Sequence, residues 1–350
     1  AYQEFVNKSV LIVGTESCVD SKTEYFNGIE WKKISDYTVN EKVLQYNQNG
    51  TSSLVAPERY IKLPATEMYI MQNTYKTWSQ VYSEDHDIVY ITSRGNLSKK
   101  PFKNVMESHF NNKNGFQGSF ITNFIHNGNI NIDENLLRLY IAVSADGSLT
   151  RKQWRIRLSK ERKILRFREL CSNVGLEIDE RIYADGFHNF YVPFEYGLKE
   201  FPNTFYNLSL ESKKVFIDEI FLWDGNIDDQ RYYSTIYSNA KIVQFIFQSS
   251  GFKTLFRQDT RKKNICYTVE KSSTKYLSIS INSYNEDKRH EMITKYQTED
   301  GMKYCFTVPS GMLVLRRDEH IFITGNCGKT TLVQKLAKYF NTSYTHEYAR

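Results

Sequence analysis

Proline and glycine are scarce, at 6 and 17 of 350 residues. A linker or fibrous chain carries far more of both, so those classes are excluded. No apolar run approaches the roughly 18 residues of a membrane helix. The run Val10–Val13 is too short for the core of an export signal. Cysteine is sparse as well: Cys18, Cys171, Cys266, Cys305 and Cys327. An odd count with no CxxC spacing argues against a disulfide framework and against a zinc site. It reads as a reducing cytoplasm, where a thiol remains a nucleophile. What is abundant is aromatic: 25 Tyr and 22 Phe favour strand-rich architecture. The net charge of +6 weakly favours an acidic partner such as nucleic acid. Hydrophobic and charged fractions of 40% and 25% exclude wholesale disorder, and the length predicts two or three domains.

The two ends differ from the middle. The chain runs from Ala1 to Arg350, stopping inside helix-like sequence, and reads as a piece of something longer. Ser9–Val13 followed by Gly14 opens like the strand and turn of a phosphate loop, but the GxxxxGK[ST] pattern does not complete there. Cys327–Phe340 carries the second half. Gly328, Lys329 and Thr330 lead into a run with Leu332, Val333, Leu336 and Ala337 at helical period. Deleting the 309 residues Cys18–Asn326 abuts Ser17 on Cys327 and restores a full loop between a strand and a helix.

The deleted segment begins with Cys and ends with Asn before a second Cys. This boundary resembles that of an intein, and the resemblance extends over Cys18–Asn326. It implies that the Cys18 thiol attacks the Ser17 carbonyl to form a thioester. Cys327 then takes the acyl group, Asn326 cyclises, and an S-to-N shift leaves a Ser17–Cys327 peptide. The amide nitrogen is a poor leaving group and needs a proton donor. The family places a His in a T-x-x-H motif for this purpose, and Ser83-Glu84-Asp85-His86 matches it with Ser for Thr. Two departures concern the C-terminal block. Gly325 stands where His commonly precedes the Asn, and no His falls near Met312–Val314. Cyclisation is therefore expected to draw on His320, water or backbone groups. Cys305 aligns with the block's usual Asp, and either assists the thiol exchanges or is an inert core thiol. No cofactor is implied for splicing. Turn signals at Asn27-Gly28 and Asn49-Gly50 fit the all-β horseshoe of such domains.

The segment is too long for that horseshoe alone. Glu134–Gly147 and Glu211–Gly225 are helix-like runs ending in Ala145-Asp146-Gly147 and Trp223-Asp224-Gly225. They resemble the two motifs of a duplicated LAGLIDADG homing endonuclease. The resemblance implies paired helices presenting Asp146 and Asp224 to Mg²⁺ over the scissile phosphates, for metal-assisted hydrolysis. In the second motif, bulky Phe221, Leu222 and Trp223 replace the usual small residues. The family's lysines map to Lys199, in a K-x-x-P stretch, and to Lys253. Gln153–Leu158 alternates, placing Trp154, Ile156 and Leu158 inward and Gln153, Arg155 and Arg157 outward. Nine basic residues against one acid fill Arg151–Arg168. Candidate contacts to DNA are Arg151, Gln153, Arg155, Arg157, Arg231, Tyr233 and Arg261.

The expected fold class is mainly β plus α/β, an all-β horseshoe split by an α/β duplicated endonuclease. The expected boundaries are 1–17 host, 18–100 splicing, 101–130 linker or additional region, 131–285 endonuclease, 286–326 splicing and 327–350 host. The joined flanks resemble the P-loop of ribosylnicotinamide kinases, so Gly14, Gly328, Lys329 and Thr330 would bind nucleotide phosphate only after splicing. The expected partner is double-stranded DNA, the host gene lacking the segment. No membrane partner is expected, and the protein is expected to be a monomer. Two alternatives remain: a splicing segment with a decayed nuclease, and a P-loop NTPase fragment with a non-catalytic insertion.

Overall fold

The computed structural model describes residues 18–65, 67–73, 78–113, 115–116, 118–261, 264–272 and 285–325. The architecture is mixed, with short strands at both ends and two helix-strand repeats between them. Among the described residues no helix is long and apolar enough to cross a membrane.

Nine strands come first: β1 (Glu24–Phe26), β2 (Trp31–Lys33), β3 (Val43–Tyr46), β4 (Ser52–Val55), β5 (Arg59–Pro64), β6 (Met68–Gln72), β7 (Ser79–Ser83), β8 (Asp87–Ile91) and β9 (Leu97–Pro101). Gly28, in the turn between β1 and β2, has φ of +99°, which an L side chain rarely adopts. Helix α1 (Phe102–Asn111) follows. The inserted unit begins with α2 (Glu134–Asp146), β10 (Gly147–Leu149), β11 (Trp154–Leu158), α3 (Glu161–Asn173), β12 (Asp179–Ile182) and β13 (His188–Val192). The same order repeats as α4 (Leu210–Trp223), β14 (Gly225–Asn226), β15 (Arg231–Ser234), α5 (Tyr237–Gln248), β16 (Lys253–Asp259) and β17 (Cys266–Ser272). The chain closes with α6 (Glu286–Met292), β18 (Ile293–Tyr296), β19 (Met302–Thr307), β20 (Met312–Arg317) and β21 (His320–Gly325).

Strands from before and after the insert pair with one another. β20 lies between β1 and β3 and also pairs with β21. β19 pairs with β5, and β18 with β6. Two buried ion pairs reinforce this return. Arg317 meets Asp20 at 3.0 Å with both side chains almost fully enclosed, and Arg316 meets Glu24 at 2.6 Å. The β20–β21 turn is held from the insert. Gln244 Nε2 donates to the Glu319 carbonyl at 2.6 Å, and the Tyr237 hydroxyl donates to the Glu319 carboxylate.

The two repeats of the insert share one sheet order, β10-β11-β13-β12 and β14-β15-β17-β16. Helices α2 and α4 lie against each other. Between them Glu219 is fully buried, meeting Arg138 at 2.8 Å and Arg166 of α3 at 2.5 Å. Trp223 Nε1 donates to the same carboxylate at 2.7 Å. Burial opposes its charge, yet the hydrogen bonds from Arg166, Trp223 and Arg138 hold its carboxyl below the usual range. The bulky Phe221 and Trp223 do not hold α2 and α4 apart. Phe221 stacks on Phe247 of α5, and Trp223 meets Phe167 of α3 edge-on.

The stretch 101–130, read as a linker or additional region, is packed. His109 in α1 contacts the Arg289 carbonyl at 2.9 Å, and Phe120, Ile121 and Phe124 are buried. Bridges Ile91–Ser119, Thr51–Ile125 and Ile125–Ser250 stitch it to both units.

Candidate active sites

The first site gathers around Cys18. Val19 and Tyr304 exchange both backbone hydrogen bonds, at 2.8 and 2.9 Å, which fixes the first residue of the segment against β19. Cys18 is fully buried and shares one buried cluster with Ile61 and Cys305. On its other side stands the end of β7. The Cys18 amide donates to Ser83 Oγ at 2.9 Å, and the Ser83 amide donates to the Cys18 carbonyl at 3.0 Å. Ser83 thus touches the nitrogen of the bond that splicing would break.

The turn after β7 places His86 three residues on. Its amide donates to the Ser83 carbonyl at 3.0 Å, and its ring stacks on Tyr82 with centroids 4.6 Å apart. His86 Nε2 lies 2.5 Å from Thr324 Oγ1 on β21. Burial, with a smaller push from the Lys99 charge, lowers the imidazole to about 3, so it is neutral near pH 7. Motif reading of the sequence found Ser83 and His86 and missed Thr324. Its only signal there is a hydroxyl two residues before the expected junction.

Gly325 stands where the resemblance to inteins leads one to expect a histidine, and its surroundings exclude one. A Cβ there would lie 2.5 Å from Asp87 Cβ and 2.7 Å from the Asp87 carbonyl oxygen, so β8 leaves no room for a histidine. His320 does not serve in its stead. It opens β21, five strand residues from Gly325, about 17 Å away at 3.3 Å per residue. It is also buried, with its pKa lowered by that burial. Ser17, Asn326, Cys327 and the loop residues Gly14, Gly328, Lys329 and Thr330 lie outside the described residues.

The second site lies at the C-terminal ends of α2 and α4. Asp146 ends α2 and Asp224 caps α4, each followed by a glycine. A Cβ on Gly147 would meet the Val143 carbonyl at 2.3 Å, so only glycine lets the chain turn into β10 so tightly. Burial, and next the Asp146 charge, push the Asp224 carboxyl up to about 6, against the pull of Lys163 and Lys199. Lys199 Nζ donates to the Ser144 and Gly147 carbonyls at 3.0 and 3.1 Å, taking up acceptors at the end of α2. Asn239 of α5 holds the lysine's segment, donating to the Lys199 carbonyl at 3.1 Å and accepting from the Phe201 amide at 2.8 Å. A cleft of about 280 Å³ opens here, lined among others by Lys199, Asp224, Tyr233, Asn239 and Cys266.

Lys163 was read in the sequence only as part of a basic strip. It forms an ion pair with Asp146, and its ammonium stands 5.5 Å from the centroid of the Trp223 ring. Lys253 is placed elsewhere. It opens β16, opposite Ser272, and the charge acting on it is Glu270. In the repeat, Lys199 follows β13, so its counterpart would follow β17, at 273–284, outside the described residues.

Among the described residues no group of three or more His, Cys, Asp or Glu side chains gathers to hold a metal. Asp146 and Asp224, the latter with a raised pKa, could serve as part of a ligand set. A hard divalent cation would complete it with phosphate and water oxygens.

The outward face of the inserted sheets carries several predicted DNA contacts. On β11, Trp154, Ile156 and Leu158 are buried while Arg155 and Arg157 are exposed. Arg151 is exposed in the turn before β11, and Gln153 is half-buried. Register equates Ile156 with Tyr232, both of which oppose the glycine after an acid. Arg155 and Arg157 therefore correspond to Arg231 and Tyr233. The charges are not equally available. Arg231 is paired with Glu270 at 3.0 Å, Arg157 meets Asp185, and the exposed Arg261 is held by Asp259 at 2.8 Å.

No family model matches the chain. The ribonucleoside-diphosphate reductase subunit beta of Aquifex aeolicus (strain VF5) is 24% identical over 363 residues, covering 90% of this chain and 51% of that protein. The chain thus spans about half the length of that relative. The homing endonuclease I-DmoI in complex with DNA and Ca is 14% identical, covering 40% of this chain and 83% of its own, with a TM-score of 0.33. The AceL NrdHF class 3 split intein is 20% identical, covering 30% of this chain and 62% of its own, with a TM-score of 0.24. The gp41-1 intein is 16% identical, covering 31% and 70%, with a TM-score of 0.22.

Proposed function

We propose that the chain excises residues 18–326 and joins Ser17 to Cys327, and that the inserted unit is a DNA endonuclease. The observation that carries the first part is the contact path from the Cys18 amide through Ser83 and His86 to Thr324. It brings the start of the segment to within two residues of its end. The Cys18 thiol adds to the Ser17 carbonyl carbon, and the carbon–nitrogen bond to Cys18 breaks. The freed amine takes a proton, and a thioester remains on the sulfur. Ser83 holds the nitrogen as its geometry changes. His86, kept neutral, relays protons between the two ends. Cys327 then accepts the acyl group by thiol exchange. The Asn326 side-chain nitrogen attacks its own carbonyl, releasing the amine of Cys327 with a succinimide left behind. Transfer of the acyl group from sulfur to that amine completes the peptide. Gly14, Gly328, Lys329 and Thr330 then form the host's phosphate loop.

For the endonuclease, Asp146 and Asp224 would hold Mg²⁺, which activates water and stabilises the attacking and leaving oxygens. Lys163 and Lys199 flank the carboxylates and balance their charge. Arg151, Gln153, Arg155, Arg157, Arg231, Tyr233 and Arg261 supply the face for double-stranded DNA, with positioning expected mainly through phosphate.

Intact-mass measurement after expression in a reducing cytoplasm tests splicing. A free 309-residue product and a ligated 41-residue peptide are expected. Persistence of the full chain with Cys18 and Asn326 intact would overturn the reading. Incubation with host DNA lacking the segment, in Mg²⁺, tests cutting. Asp146→Asn and Asp224→Asn should each abolish it while splicing continues; undiminished cutting would remove the metal assignment.

A further inference from the structure

We propose that Cys18 and Cys305 form a reversible disulfide that locks the chain in its unspliced state. The inference rests on the splicing reading for its consequence, and on backbone register for its geometry.

Val19 and Tyr304 are opposite residues of an antiparallel bridge and exchange both N–H···O bonds. One step along each strand, Cys18 is therefore directly opposite Cys305. A pair flanking a doubly bonded pair is of the non-hydrogen-bonded kind, with Cα atoms about 4.5 Å apart and side chains on the same face. That separation is within the range a disulfide spans without moving the backbone, about 4.4–6.8 Å. Both cysteines are buried and share one contact cluster with Ile61. Neither strand is loose. Cys18 is held by Ser83 on its far side, and Cys305 pairs with Ile61 of β5. The other two described cysteines have no such partner position. Cys171 is buried in α3, and Cys266 opens β17 opposite Asp259.

The reaction is thiol–disulfide exchange with a small-molecule disulfide. One protein thiolate attacks the oxidant and expels one thiol. The second protein thiolate then displaces the other, so that two protein thiols are oxidised and one disulfide is reduced to two thiols. As both side chains are enclosed in the folded protein, oxidation occurs as the chain folds. With its sulfur bonded to Cys305, Cys18 has no thiolate to offer the Ser17 carbonyl, and the first step cannot begin. Reduction restores it.

The test refolds the full 350-residue chain from denaturant at a series of ratios of reduced to oxidised glutathione. Splicing is followed by intact mass, and disulfides by non-reducing peptide mapping. At oxidising ratios, unspliced chain lighter by two hydrogens should accumulate, with a cross-linked peptide containing Cys18 and Cys305. Dithiothreitol should then release splicing from that same material. Cys171→Ser and Cys266→Ser should leave the cross-link in place. Cross-linking of Cys18 to Cys327 instead, or both thiols remaining reduced at every ratio, would overturn the proposal. If the Cys18–Cys305 peptide forms and reduction releases no spliced product, the lock fails as a control of splicing. A reduced control that never splices separates that outcome from failure of the splicing reading itself.

Discussion

At the scale of single residues, the proposed splicing centre depends on close contacts that allow little substitution. Ser83 Oγ is the acceptor for the Cys18 amide at 2.9 Å in a buried setting. Ser83→Ala leaves that N–H without its partner and the nitrogen unheld. A buried hydrogen bond of about 1–2 kcal/mol corresponds to a roughly tenfold change in rate. Thioester formation, followed by dithiothreitol cleavage in an Asn326→Ala background, should slow by about that factor, and Ser83→Thr should retain most of the rate. An unchanged rate in Ser83→Ala would show that the contact does not act on the reacting bond. Gly325 yields a less intuitive expectation. Placing at this position the histidine common in inteins, by Gly325→His, should slow C-terminal cleavage and lower Tm, because the new Cβ meets Asp87 at 2.5 Å. Faster cleavage in that variant would disprove the steric account. The sequence showed these residues unevenly. Ser83 and His86 stood out as a spaced motif, whereas Thr324 acts through a contact 238 positions away in the chain. No local pattern encodes such a contact.

At the scale of elements, the duplicated insert was legible because each repeat marks its helix end with Asp-Gly, and the first repeat's Trp154–Leu158 alternates. What held the two helices together was not. Arg166 reads as one of a basic strip, yet it and Arg138 both turn inward onto Glu219, whose side chain is fully enclosed. Sequence shows the number of charges and not which of them meet across an interface. Lys253 failed to reach the acids for a related reason, since only the repeat register reveals which segment corresponds to the one carrying Lys199. The buried triad carries its own prediction. Glu219→Ala leaves Arg138 only its exposed partner Glu134 and Arg166 only its exposed partner Glu169, removes the buried counter-charge between them, and strips Trp223 Nε1 of its acceptor. Removing one partner of a buried ion network costs about 3–5 kcal/mol. Chemical denaturation should therefore show the inserted unit destabilised by that amount. DNA cutting should be lost at temperatures the parent tolerates. A loss below about 1 kcal/mol would mean that the triad contributes little net stability.

At the scale of the whole molecule, the chain is nested, not consecutive. β18–β21 complete sheets begun before the insert, and the stretch between the units is packed against both. One consequence is that histidines of the strand-rich unit and of the packed stretch 101–130 are sealed in neutral form. Burial lowers His86 to about 3 and His126 to about 4, and lowers His109 and His320 as well. Each has a folded pKa below its unfolded value near 6.5. As pH falls through 6.5, the unfolded chain therefore binds protons that the folded chain refuses. Stability must then fall with falling pH, by up to about 1.4 kcal/mol per pH unit for each such group until its folded pKa is reached. Asp224 works in the opposite direction between its unfolded value and about 6, because its folded pKa is raised. It offsets one histidine there and leaves the sign unchanged. Urea titrations at pH 6.5 and pH 5 should show a clear loss of unfolding free energy over that interval. The loss should be smaller in His86→Gln by up to about 2 kcal/mol, because glutamine takes no proton in either state. If parent and variant lose the same amount, His86 is not held neutral by burial, and its role as a proton relay at the splice junctions would have to be abandoned.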